Sequence, residues 1–317
     1  MNPRLDLAAT LPGAAPVRLE SVPFYPQLAY QCGPAALAGV LGAAGAAIDP
    51  AALAPRVYLP DRQGSLQAEL VAAARRSGLI PYLTAGQPAA LLAELQAGRP
   101  VLVIQNLGTP GFPRWHYAVM TGFDPATNRV FLNTGDERGL AVDAPEFLRT
   151  WDWAGRWAMV VLSPGQMPAG VDLALYTDAV IAFENVAGAA AAVPAWQTAL
   201  ERWPQAPAPY LALGNRAYFE GNLAQAVDYY ARGLRHDRDD PALGNNLASV
   251  LGELGCAGAG IALLEPIHSG LPEASGWRPV TAATLAELSA RTPGDKTDCA
   301  ARYSLPDAAT AALDAQG

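Results

Sequence analysis

Apolar positions along the first half of the chain change their period. From Ala35 to Ala47 they are nearly continuous, with Gly39 and Gly42 on one row, and predict a buried helix. Leu66–Arg76 repeats apolar residues at helical spacing after the cap-like Ser65, and Ala89–Ala97 stops at Gly98. Past Pro100 the runs shorten and predict strands at Val101–Gln105, Tyr117–Phe123, Val130–Leu132 and Ala158–Leu162. Asp124-Pro125-Ala126-Thr127-Asn128, between two apolar runs, predicts a hairpin loop. Helices first and a meander of strands afterwards predict an α+β domain over 21–165. An extended Pro/Ala-rich segment, 1–20, precedes it, and its far boundary is expected in Ser163-Pro164-Gly165-Gln166-Met167-Pro168.

Beyond Pro168 the strand signal stops and a period of 34 appears. Leu213 and Leu247 are 34 apart, as are Gly221 and Gly255, and Ala226 meets a small residue, Gly260, at the same offset. Around them, Leu213-Gly214-Asn215-Arg216-Ala217-Tyr218 and Ala224-Gln225-Ala226-Val227-Asp228-Tyr229-Tyr230 resemble the tetratricopeptide repeat, a helix-turn-helix unit of that length. The resemblance covers 170–268 in two to three copies and implies an all-α repeat domain. Arrays of this kind offer a surface for a peptide or protein partner. Residues 269–317 read as a partly ordered tail with one helical segment, Ala282–Ala290.

Composition then narrows the function. At 317 residues the chain is long for one domain, and an apolar content of 51% is ample for two cores. A net charge of -8 without any Lys/Arg-rich run argues against nucleic acid or an anionic membrane as partner. Lys296 is the lone lysine, an arginine bias that suits a GC-rich bacterial source. Asp6 interrupts any apolar leader core at the N-terminus, and no run is long enough to span a membrane. A bacterial protein is expected, periplasmic or lipid-anchored where a leader has been removed and cytoplasmic otherwise. Cys256 and Cys299 are an even pair, compatible with a disulfide or with two reduced thiols. No phosphate loop, dinucleotide fingerprint or metal-ligand spacing appears, so no cofactor or metal is expected.

The chemistry concentrates at two positions. Cys32 stands directly before the first predicted helix, and His116 is the only histidine among the first 235 residues. A helix N-terminus favours a thiolate, and an imidazole can take and return its proton. Pro34 fits the first helical turn, where a missing N–H costs nothing. Gln27, five residues upstream of the thiol, can offer its amide to an oxyanion, with Gln31 as its rival. Trp151, Trp153 and Trp157 bracket the last strand and read as core packing.

Val22-Pro23-Phe24-Tyr25-Pro26-Gln27, Gln31-Cys32-Gly33-Pro34-Ala35-Ala36-Leu37 and His116-Tyr117-Ala118-Val119-Met120-Thr121-Gly122-Phe123-Asp124 together resemble papain-fold cysteine peptidases. The nearest resemblance is to the double-glycine (bacteriocin-leader) peptidase group, over about 22–164. It implies Cys32 as nucleophile, His116 as general base and then acid, and Gln27 as oxyanion donor. It also implies small residues such as Gly at the cleavage site. The family places an Asp or Asn after the returning strand to orient the imidazole. In Val130-Phe131-Leu132-Asn133-Thr134-Gly135-Asp136 the expected residue is Asn133, with Asp136 next and Thr134 as the third choice.

Three functions compete. The first is a thiol peptidase that cleaves a peptide or isopeptide bond through a Cys32 acyl-enzyme, with the repeats recruiting substrate or partner. The second is a weakly active or inactive cleft-plus-repeat scaffold. The third is an acyl transferase using the same Cys-His pair.

Overall fold

The structure is a computed structural model that describes residues 5–26, 31–62 and 64–291, together with Cys299, Tyr303 and Leu305. The chain separates into two compact units, Met1–Ala192 and Val193–Gly317.

The first unit opens with a short helix α1 (Leu7–Thr10) and strand β1 (Val17–Arg18), followed by helices α2 (Cys32–Ala43) and α3 (Pro50–Val57). A small hairpin, β2 (Tyr58–Leu59) and β3 (Gly64–Ser65), precedes α4 (Gln67–Arg76), strand β4 (Ile80–Leu83) and α5 (Pro88–Gln96). Then come β5 (Val101–Asn106), β6 (Trp115–Asp124), β7 (Arg129–Thr134), β8 (Glu137–Asp143), α6 (Ala144–Asp152), β9 (Ala158–Leu162) and α7 (Leu173–Ala187). The main sheet is antiparallel, in the order β4-β9-β5-β6-β7-β8, with β1 added on β6. With an all-helical second unit, the fold class is α+β.

Helix α2 is buried along its length from Gly33 to Leu41, which is why its sequence is apolar on every side rather than on one stripe. Gly39 and Gly42 let it approach Pro23 closely: a Cβ on Gly39 would stand 3.1 Å from Pro23 O, and one on Gly42 would stand 2.9 Å from Pro23 Cγ. Leu37 and Leu41 pack with Leu102, Ile104, Tyr117 and Val119 of the sheet.

The segment read as an interdomain boundary belongs to the first unit. Glu94, only 2% exposed, accepts a hydrogen bond from Ala169 N at 2.7 Å and pairs with Arg99 at 2.6 Å. Tyr82 donates to Gly170 O at 3.3 Å, and Tyr176 of α7 donates to Gln166 O at 3.2 Å. Helix α7, expected in the repeat region, thus packs on β4 and α4. The division falls within the next helix, α8 (Ala189–Arg202).

The second unit continues with α9 (Pro207–Phe219), α10 (Leu223–His236), α11 (Pro241–Glu253), α12 (Ala257–Gly270) and α13 (Trp277–Ala290). Helix α11 begins and ends 34 residues after α9, and α12 begins and ends 34 residues after α10. Both hairpin turns carry a glycine at φ 76, Gly221 and Gly255, a left-handed conformation costly for other residues. Asp240 caps α11 through Ala242 N and Leu243 N, both at 2.9 Å, so the acidic run before Pro241 is a helix start. Cys256 and Cys299 are bonded, with Cα atoms 6.0 Å apart. Helix α13 starts at Trp277, earlier than the expected 282, and its Leu288 is buried in the core of this unit. Among the described residues no helix is long and apolar enough to cross a membrane.

Candidate active site

Cys32 is the first residue of α2, preceded by Gln31 at φ -104, ψ 20. The helix starts without a side-chain cap, so its first N–H groups stay available, and Pro34 supplies no donor that would need a partner. Gly33 is fixed by space: a Cβ there would stand 2.6 Å from Ser65 Cβ on β3 and closer still to Ser65 Oγ. The small hairpin therefore lies directly on the nucleophile's helix turn.

The half-buried thiol receives backbone hydrogen bonds from Tyr117, from Gly33 and from its own residue. The Tyr117 contact places the sulfur one peptide unit from His116 at the start of β6. Tyr117 holds this arrangement twice over. Its side chain lies in the α2 core, edge-on to Trp157 with centroids 6.2 Å apart, and its hydroxyl donates to Ser65 O at 3.2 Å. Residues on one strand alternate between faces, so His116 projects away from the Tyr117 side.

The partner of His116 is Thr134, whose Oγ1 lies 2.7 Å from Nε2. Asn133, the residue expected to orient the ring, does something else. It pairs with Val119 in the sheet, which puts it on the Tyr117 side of β6, and its Oδ1 accepts from Gly139 N at 3.0 Å. The register between β7 and β8 shifts between Leu132 and Thr134, and this irregularity around Asn133 is what its side chain closes. Asp136 stands exposed in the turn between β7 and β8. Gln27 lies outside the described residues. Gln31 is half-buried at the N-cap of α2, where its side chain makes no capping bond.

Burial sets the protonation states. The Cys32 thiol is pushed above its ordinary value of 9.0 by desolvation, and the three backbone hydrogen bonds only partly offset this. The helix-start effect expected to favour thiolate is thus outweighed. His116 is lowered from 6.5, first by desolvation and then by the positive charge of Arg114. At neutral pH the resting pair is a neutral thiol and a neutral imidazole.

Two residues of the site, Ser65 and Tyr117, were invisible as such in the sequence. A tyrosine in an apolar strand reads as core, and Ser65 reads as a helix cap. Of the flanking tryptophans, Trp151 is fully buried and donates to Trp157 O at 2.9 Å, whereas Trp153 is 37% exposed under the Arg149 guanidinium.

Residues 19–158 of the chain match the Peptidase_C39 like family. A solved structure described as a putative C39-like peptidase, from Bacillus anthracis, shares 20% identity, covering 47% of this chain and 98% of its own, with a TM-score of 0.39. No curated protein matches the chain.

Proposed function

We propose that the first unit is a cysteine peptidase acting through Cys32 and His116, with Thr134 orienting the imidazole. The observation that carries this reading is the join of α2 and β6: the thiol takes the Tyr117 backbone bond, and the adjacent His116 has Nε2 held by Thr134. In the tautomer with the proton on Nε2, that nitrogen donates to Thr134 and Nδ1 keeps its lone pair. Nδ1 removes the thiol proton as sulfur attacks the scissile carbonyl. N–H groups at the start of α2, with the Gln27 amide, receive the developing oxyanion. The imidazolium then gives its proton to the departing amine, leaving a thioester on Cys32. Water, deprotonated by His116, attacks the thioester and releases the acid and the thiol. The match of residues 19–158 supports the same reading.

The second unit we read as a tetratricopeptide-like array that recruits a peptide or protein, a reading supported by the 34-residue recurrence of both helices. The Cys256–Cys299 bond favours an oxidising compartment outside the bacterial cytoplasm.

The test is labelling of the full chain with a thiol-reactive peptide probe carrying Gly-Gly before the warhead. Modification of Cys32 that falls at least tenfold in His116→Ala supports the peptidase. Labelling indifferent to His116 removes the enzyme reading and leaves the cleft as a binding surface.

A further inference from the structure

The loop between β5 and β6 carries apolar side chains into solvent on a rigid frame. Phe112 is 86% exposed, Trp115 54% and Leu107 39%. An irregular surface loop would let such side chains fold back, yet this one is clamped. Asn106, 1% exposed, gives its whole side chain to the loop backbone: Oδ1 accepts from Gly108 N and Arg114 N, both at 2.9 Å, and Nδ2 donates to Thr109 O at 3.1 Å. Thr109 and Phe112 exchange backbone bonds of 3.1 and 3.2 Å across Pro110-Gly111, a closed tight turn. Gly108 lies so close to the returning chain that a Cβ would meet Arg114 N at 2.9 Å. A buried amide devoted to one loop, and a glycine required by its narrowness, fix Phe112 and Trp115 in place before any ligand arrives.

Their place relative to the chemistry is equally defined. Trp115 precedes His116 and, two residues from Tyr117, projects to the same face of β6 as the ring whose backbone meets the Cys32 thiol. A peptide whose scissile bond lies between Cys32 and His116 directs its departing amine toward His116, which must protonate it. The residues on the far side of the bond then run past the loop.

We propose that Phe112 and Trp115 form an apolar subsite for the residue directly after the scissile bond, pre-set by Asn106. This rests on the peptidase reading. The two aromatic faces exclude water from an apolar side chain and leave a charged one without a partner, so the enzyme prefers Leu or Phe over Ser or Asp at that position. Being rigid, the subsite needs little ordering on binding.

The experiment uses the full chain and internally quenched peptides with Gly-Gly before the bond and Leu, Phe, Ser or Asp after it. The wild type is expected to favour Leu over Ser by about tenfold or more in kcat/KM. Phe112→Ser together with Trp115→Ser, both at exposed positions, is expected to bring that ratio within about twofold of unity. Iodoacetamide modification of Cys32 should be unchanged in the same variant. A Leu preference that survives the double substitution, or a selectivity set only by residues before the bond, overturns the subsite while leaving the peptidase intact. Absence of His116-dependent labelling and of cleavage of every peptide by the wild type overturns both.

Discussion

Thr134 Oγ1 lies 2.7 Å from Nε2 of His116, and that bond decides which ring nitrogen faces the chemistry. A hydroxyl can accept the Nε2 proton, but it carries no charge to stabilise an imidazolium. The orienting group is therefore a weak one, consistent with a histidine whose pKa burial has lowered.

Thr134→Val should lower kcat/KM by about tenfold, the worth of roughly 1–1.5 kcal/mol for one hydrogen bond. Thr134→Asp places a carboxylate at the ring and should move the acid limb of the pH–rate profile upward. Asn133→Ala should leave that limb where it is and lower thermal stability instead, because its bond is to Gly139. An acid limb that tracks Asn133 rather than Thr134 would reverse the assignment.

The protonation states predict a profile without a preformed ion pair. On the acid side, activity should appear as His116 loses its proton, with a midpoint below 6.5. On the alkaline side, the rate of Cys32 alkylation should climb through a midpoint above 9.0. Activity and alkylation kinetics across this range measure the two limbs. A plateau of thiolate reactivity extending below neutral pH is the contrary result.

Gly33→Ala should destabilise the first unit by about 1–3 kcal/mol, because the new methyl group meets Ser65 within the packed join of α2 and β3. Adding Ser65→Gly removes the obstructing Cβ and should restore much of the loss. Thermal melts of the single and double variants give the coupling directly.

Breaking the Cys256–Cys299 bond releases a loop closed over a sequence separation of 43. Chain entropy puts the resulting loss at about 4 kcal/mol in the second unit. Cys256→Ser with Cys299→Ser should lower the denaturant midpoint of that unit. Cys32 labelling by iodoacetamide should persist in the same variant.

Much of the frame could be read from periodicity, and the exceptions have local causes. The helices at 66–76 and 89–97 and the strand 158–162 were legible because burial keeps their apolar positions regular. Strand β4 was not, since Pro81 interrupts it; an edge strand bonded only to β9 tolerates that proline. Strand β8 mixes charged and apolar residues on a largely exposed run and gives no alternation to read. Within the candidate site, residue type singled out Cys32 and His116, which the fold brings to one join of helix and strand. The neighbour of the imidazole was harder to read. The register shift near Asn133 decides which side chain reaches the ring, and such a shift leaves no mark in residue order.

The shared offset of the paired helices in the second unit carries a constraint on length. Both helices and the glycine turn between them recur at one spacing, so each hairpin meets the next through equivalent positions. Removing or duplicating a whole block cut between Asp240 and Pro241 keeps every junction in phase. A single residue added inside a helix instead rotates the downstream side chains by roughly 100° and turns buried faces such as Leu243 and Leu247 toward water. For this part of the chain, length is quantised.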